Sequence, residues 1–138
     1  MGFEIIKIET QKRHKVATIR AHRRGGIYYN SHANSLLEFK EKGKQYIFCA
    51  KKSGGRLFVS RAFTEFNQNA ITVRTKKPDG IYYRSQNAFF ASIIFDLAKA
   101  DKKDRKSVLL FIDENEFEVE SGLVFYRLRL EDWVKKID

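Results

Sequence analysis

The stretch Thr18–Ser31, TIRAHRRGGIYYNS, returns at Thr72–Ser85 as TVRTKKPDGIYYRS, without a gap and at a constant offset of 54 residues. Seven of the 14 positions are identical, and Ile19/Val73 and Arg23/Lys77 are near matches. A self-similar period inside one chain has a physical meaning: each copy is a supersecondary unit that cannot bury its apolar face alone, so the copies fold against each other. Identity on both strand faces and at the turn separates this from two hairpins that merely look alike.

Working outward from the first copy, Val16–His22 reads as a strand, Arg23–Gly26 as a tight turn and Ile27–Asn30 as the return strand. Ser31 is the expected helix N-cap, because its hydroxyl can accept an orphan backbone N–H of the first turn. Ala33, Leu36 and Leu37 follow at helical spacing, and Lys42-Gly43 closes the helix. Tyr46–Lys52 and Arg56–Arg61 form a second hairpin about Ser53-Gly54-Gly55.

The second copy keeps the order. Ile71–Lys76 and Ile81–Arg84 flank Lys77-Pro78-Asp79-Gly80, whose Pro and Gly suit a turn. Ser85 is the expected cap of a helix reaching Lys99, apolar on most sides through Ala88, Phe89, Phe90, Ile93, Ile94, Phe95, Leu97 and Ala98 and therefore predicted buried. Val108–Ile112 is a strand, and Leu123–Leu130 pairs with it across an acidic connection. Phe3–Ile8 is a short leading strand, and Phe63–Asn69 joins the copies. The predicted fold is α+β, mainly β: a single domain over 1–138, with repeat one at 12–62 and repeat two at 69–132, each strand-strand-helix-strand-strand, closing one barrel about a pseudo-twofold axis.

Length and composition bound the rest. A chain of 138 residues buries roughly two-thirds of its unfolded surface as one domain. Cys49 is the one cysteine; it has no partner for an internal disulfide and, beside Ile47 and Phe48, reads as a small buried hydrophobe in a reducing compartment. No apolar run approaches the ~18 residues of a membrane span, and MGFEIIKIETQ lacks the basic start and apolar run of a secretory signal. Cytoplasm is the expected location, with no membrane partner.

The formal net charge is +10, and residues 1–64 carry 14 Lys/Arg against 4 Asp/Glu while 65–138 carry 13 against 13. A positive field concentrated in one half is the footprint of a polyanion partner, because each neutralised phosphate releases condensed counterions. Strand alternation says which side chains are available. Ala17, Ile19, Ala21, Ile27, Tyr29, Ile71, Val73, Ile81 and Tyr83 look inward. Thr18, Arg20, His22, Tyr28 and Asn30 look outward, and so do Thr72, Arg74, Lys76, Tyr82 and Arg84. An outward Arg with an outward Tyr thus occurs twice. At the tips, His22-Arg23-Arg24 is answered by Lys76-Lys77, and Lys51, Lys52 and Arg56 extend the track from the next hairpin. Such cations follow phosphates, and an exposed tyrosine stacks on a base or touches sugar.

Other chemistry is absent from the pattern. His14, His22, His32 and Cys49 have no metal-ligand spacing, Ser31-His32 adjacency does not make a nucleophile and base, and the Gly doublets lack a phosphate-loop lysine. No catalytic residue, cofactor or metal is expected. The run Asp113–Glu120 alternates Glu114, Glu116, Glu118 and Glu120 along one side, too spread for a single ion at ~3.3 Å per residue. It reads as a solvated hairpin edge that resists edge pairing, or as an acidic edge that meets the basic half of a second copy in a homo-oligomer.

The first copy, GGIYYNSHANSLLEFKEKGKQYIFCAKKSGGRLFVS (Gly25–Ser60), resembles the AbrB/MazE type of swapped-hairpin DNA-binding domain, and two copies in one chain resemble the MraZ arrangement. The resemblance covers about Val16–Ser60 and, more loosely, Ile71–Leu130. It implies an interlocked barrel and DNA binding through basic first-hairpin residues, which fall on Arg20, Arg23 and Arg24 and, in copy two, on Arg74, Lys76 and Lys77. The expected function is a non-enzymatic, DNA-binding regulatory or accessory protein, duplex DNA being favoured over single strands or RNA. The alternative is an assembly module, antitoxin-like or a phage accessory, whose basic face meets an acidic protein.

Overall fold

The computed structural model describes residues 2–4, 16–39, 44–62, 69–75 and 83–130. Eight strands close into a barrel: β1 (Thr18–His22), β2 (Gly26–Tyr29), β3 (Lys44–Lys52), β4 (Arg56–Ala62), β5 (Ile71–Thr75), β6 (Tyr83–Gln86), β7 (Ser107–Glu120) and β8 (Leu123–Arg129). Helix α1 (Ser31–Leu36) follows β2, and α2 (Ala88–Leu97) follows β6. Around the barrel the order is β1-β2-β6-β5-β3-β4-β8-β7, every neighbouring pair antiparallel. β1 therefore pairs with β7, and β5 with β3, so each first strand lies against a strand from the other half of the chain.

The period-two reading of the strands holds for the described residues; Ile81 lies outside them. Ala17, Ile19, Ala21, Ile27, Tyr29, Ile71, Val73 and Tyr83 all lie in the buried core, with Val108, Leu110, Ile112 and Leu128 from the far side. Helix α2 adds Phe90, Ala91, Ile94 and Phe95, side chains whose burial contributes roughly 1.5–3 kcal/mol each for the large apolar ones. Phe39 wedges between Tyr29 and Tyr83, with ring centroids 5.3 and 5.2 Å away. The Tyr29 hydroxyl, sealed in this core, is hydrogen-bonded to Ser85 Oγ at 2.9 Å, and burial pushes its pKa well above the usual phenol range.

Several local expectations are corrected. The helix caps are asparagines: Asn30 Oδ1 accepts the Ala33 amide at 2.8 Å, and Asn87 Oδ1 accepts the Phe90 amide at 2.8 Å. Ser31 is the first residue of α1. Ser85 is a strand residue, because β6 runs on to Gln86 to satisfy β2, pairing Ile27 with Ser85 and Gly26 with Gln86. Asn30 serves twice over, since its Oδ1 also accepts the Thr18 amide at 2.9 Å while its Nδ2 donates to the Val16 carbonyl at 2.9 Å. α1 is only six residues long and ends where Glu38 enters the left-handed region at φ 56°. α2 is buried on one side only; Phe89 is 77 % exposed. Thr18, on the outward side of β1, is nevertheless buried. Gly2–Glu4 form no strand; the remainder of the predicted leading strand and most of the joint lie outside the described residues.

The acidic connection is a strand. β7 continues through Glu120, and Ser121 and Gly122, at φ 54° and 79°, make the two-residue left-handed turn that suits a twisted hairpin. A bulge between Asp113 and Phe117 breaks the predicted alternation of the glutamates. It turns Glu116 back onto β8, where Arg127 Nη1 reaches both its carboxylate oxygens at 3.0 and 3.1 Å and Arg129 Nη2 also bonds it. Asp113, itself buried, accepts Arg129 Nε at 3.2 Å.

Candidate nucleic-acid interface

On the outer face of β1-β2-β6-β5, the strand registers align one transverse row: Arg20 opposite Tyr28, Tyr28 opposite Arg84, and Arg84 opposite Arg74. Three interstrand spacings of ~4.8 Å put about 14 Å between the ends of this row. The second hairpin thus pairs Arg74 with Arg84, where the repeat alignment leads one to expect the pairing of Arg74 with Tyr82. Two guanidinium-bearing residues therefore stand directly across from each other, an arrangement that costs stability unless a counter-charge intervenes. No carboxylate among the described residues ion-pairs with Arg20, Arg74 or Arg84. Arg20 Nη1 donates instead to Ser107 Oγ at 3.1 Å.

Tyr28 is 42 % exposed, and its ring leans along its own strand over Gly26: a Cβ at that glycine would meet Tyr28 Cε2 and the hydroxyl oxygen at 3.2 Å. The ring is thus partly covered by its own strand and partly open to solvent, with Arg20 and Arg84 opposite it on the two neighbouring strands. A single such platform suits contact with sugar and phosphate more than a succession of stacked bases.

The first hairpin tip is mounted rigidly. Gly25, at φ 99°, approaches α2 so closely that a Cβ would lie 2.7 Å from Gln86 Nε2 and 3.2 Å from the Ala88 backbone. Gln86 Nε2 donates to the Arg24 carbonyl and the Asn87 amide to the Gly25 carbonyl, both at 2.9 Å. The Arg24 amide donates to His22 Nδ1 at 3.2 Å, and the Arg23 amide donates to the Lys106 carbonyl at 2.9 Å. His22, Arg23 and Arg24 accordingly sit on a hydrogen-bonded backbone two to four residues beyond Arg20 along the chain, with Arg24 exposed and His22 and Arg23 half-buried.

Lys51, Lys52 and Arg56 do not extend the track. Lys44, not Lys52, is the β3 residue opposite Arg74, and Lys52 is eight residues further along, roughly 26 Å away at ~3.3 Å per residue. Lys52 is ion-paired with Glu118 of β7, and Arg56 Nε donates to the Ser53 carbonyl at 3.3 Å. Lys76, Lys77 and Tyr82 lie outside the described residues.

Sequence reasoning missed Lys103, Arg105 and Lys106 in the α2–β7 connection. The signal is the run Lys102-Lys103-Asp104-Arg105-Lys106, which the count by chain halves conceals because the acidic β7 segment cancels it. Among the described residues no group of three or more His, Cys, Asp or Glu is placed to hold a metal ion, and no helix is long and apolar enough to cross a membrane. Comparison of the chain with protein-family models, with curated proteins and with solved structures gives no match.

Proposed function

We propose that this chain is a non-enzymatic DNA-binding protein, regulatory or accessory in role, that lays the β1-β2-β6-β5 face and the His22-Arg23-Arg24 tip on the phosphate backbone of duplex DNA. The observation that carries this is the Arg20–Tyr28–Arg84–Arg74 row, in which two arginines face each other and none has an acidic partner among the described residues. Such a row is tolerated most easily when an external anion supplies the missing counter-charge, and a line of phosphates is the anion of matching extent.

Duplication of one unit and a swapped-hairpin architecture of the AbrB/MazE kind, in the tandem form seen in MraZ, go with this role. Two features support it. Exchanging β1 with β5, β2 with β6, β3 with β7 and β4 with β8 leaves every neighbour relation of the barrel unchanged. At the centre of the face, Tyr29 pairs directly with Tyr83, its own counterpart at the 54-residue offset, as a pseudo-twofold axis through that pair requires.

The test is a binding titration of the full chain against labelled duplex DNA, single-stranded DNA and RNA at two salt concentrations, with Arg20→Ala/Arg84→Ala beside the wild type. Tightest binding to duplex, a steep loss with salt and a large loss in the double variant are expected. Equal affinity of wild type and variant for every nucleic acid rejects the assignment. Co-purification of an acidic protein without nucleic acid favours the assembly-module alternative.

A further inference from the structure

Apart from the hairpin face, the connection from α2 to β7 carries a second set of exposed cations. Its backbone is preset: the Asp101 carbonyl accepts the amides of Asp104 and Arg105, each at 3.0 Å, and Asp101 Oδ1 accepts the Lys103 amide at 2.8 Å. Lys102 is turned away to Ser92 Oγ. Lys103, Arg105 and Lys106 remain exposed, with no ion-pair partner among the described residues.

This loop leads directly into the β1–β7 ladder that carries the hairpin tip. The Arg23 amide donates to the Lys106 carbonyl at 2.9 Å, His22 is in register with Ser107, and the Arg20 guanidinium reaches Ser107 Oγ at 3.1 Å. Cations therefore run from the Arg74–Arg84 pair through Arg20 to the loop, where the exposed carboxylates of Asp101 and Asp104 still leave residues 98–106 a surplus of three positive charges. The corresponding connection after α1 is different in charge: residues 37–43 contain two basic and two acidic side chains, whereas 98–106 contain five basic and two acidic.

We propose that Lys103, Arg105 and Lys106 form a second phosphate-binding element, which lengthens the contact with duplex DNA at the β1–β2 end of the barrel only. This rests on the DNA-binding assignment above. A one-sided extension gives the face a polarity that the repeat alone lacks, since the strand exchange relating the two hairpins does not reproduce the charged loop.

The experiment measures affinity of the full chain for a labelled duplex between roughly 50 and 200 mM salt, for wild type, for Arg23→Ala/Arg24→Ala and for Lys103→Ala/Arg105→Ala/Lys106→Ala. Each lost phosphate contact lowers the slope of log affinity against log salt by about 0.9. The loop variant is expected to lower it by about 2–3 and to weaken binding at least tenfold at the lower salt, with a circular-dichroism melt like that of wild type. Lys103→Arg/Lys106→Arg, which keeps the charges, is expected to bind as wild type does. A hairpin variant that loses slope beside a loop variant that keeps it overturns the loop proposal and leaves the hairpin assignment standing. If neither variant loses slope, the hairpin assignment has failed and the loop proposal with it.

Discussion

Two charged surfaces of one barrel are handled in opposite ways. Along β7–β8, Asp113, Glu116 and Glu118 are each matched to a cation, namely Arg129, Arg127 with Arg129, and Lys52. Across β1-β2-β6-β5 the arginines line up with no carboxylate between them. A residue count that gives the second half of the chain zero net charge therefore describes neither surface: the ribbon uses its charge internally, and the hairpin face leaves its charge available. The matched side also weakens an oligomer built on the acidic segment, since of its glutamates Glu114 and Glu120 alone lack an ion-pair partner among the described residues.

The contrast breaks most completely if the mount of the hairpin tip is removed. Gly25→Ala places a side chain at a left-handed φ and against the Gln86 amide and Ala88 backbone, so a loss of about 2–4 kcal/mol is expected from strain and overpacking together. Urea denaturation measures it, and a loss under half a kcal/mol shows that the tip can move away from α2. On the opposite surface, Glu116→Gln takes from Arg127 its ion-pair partner in a half-buried setting, where Arg127 Nε already has no partner, while Arg129 keeps Asp113. A cost of about 1–2 kcal/mol follows from losing charge-assisted hydrogen bonds that solvent partly screens. DNA affinity is expected to stay the same. A fall in affinity in this variant erases the distinction between the two surfaces.

Alkali probes the core that both surfaces share, in which Tyr29 is buried and Cys49, expected to be buried, is half-buried against its edge. Burial pushes the Cys49 thiol up to about 12 from 9.0 and raises Tyr29 as well. The unfolded thiol ionises near its ordinary value while the folded one stays neutral, so the contribution is intact below about pH 9 and falls as pH rises toward 12. Denaturation midpoints at pH 8, 10 and 11 are expected to decline in that order, and Cys49→Ala is expected to flatten part of the decline.

How much of this was legible in sequence follows from what each feature depends on. The inward set Ile19, Ala21, Ile27, Tyr29, Val73 and Tyr83 is dictated by a period of two, which any register preserves. The caps were misplaced by one or two residues because Asn and Ser cap about equally well, and the choice fell to strand pairing: β6 had to reach Gln86 to serve Gly26. The β7 extension was hidden because an isolated acidic segment is a poor strand, whereas Arg127 and Arg129 on β8 neutralise it across the pair. The row was half legible. Alternation turned Arg20, Tyr28, Arg74 and Arg84 outward, but the ungapped repeat gave no sign that Arg74 faces Arg84, and the placement of Lys51, Lys52 and Arg56 away from the row depends on barrel closure, which local spacing does not encode.

The smallest effect is also the most discriminating. Arg84→Gln removes one member of the facing arginine pair while keeping most of the side-chain length, so the folded protein gains stability by a few tenths of a kcal/mol, up to about 1. The same change takes away a central cation of the row and is expected to weaken duplex binding several-fold, with the salt slope falling by about 0.9. Opposite signs for stability and affinity are what a surface held at a cost for an external anion must show, because the repulsion relieved by the mutation is the one the ligand would have relieved. Loss of stability in Arg84→Gln instead means that Arg84 makes a favourable contact within the chain, and the hairpin face then becomes a second example of the matched chemistry on β7–β8.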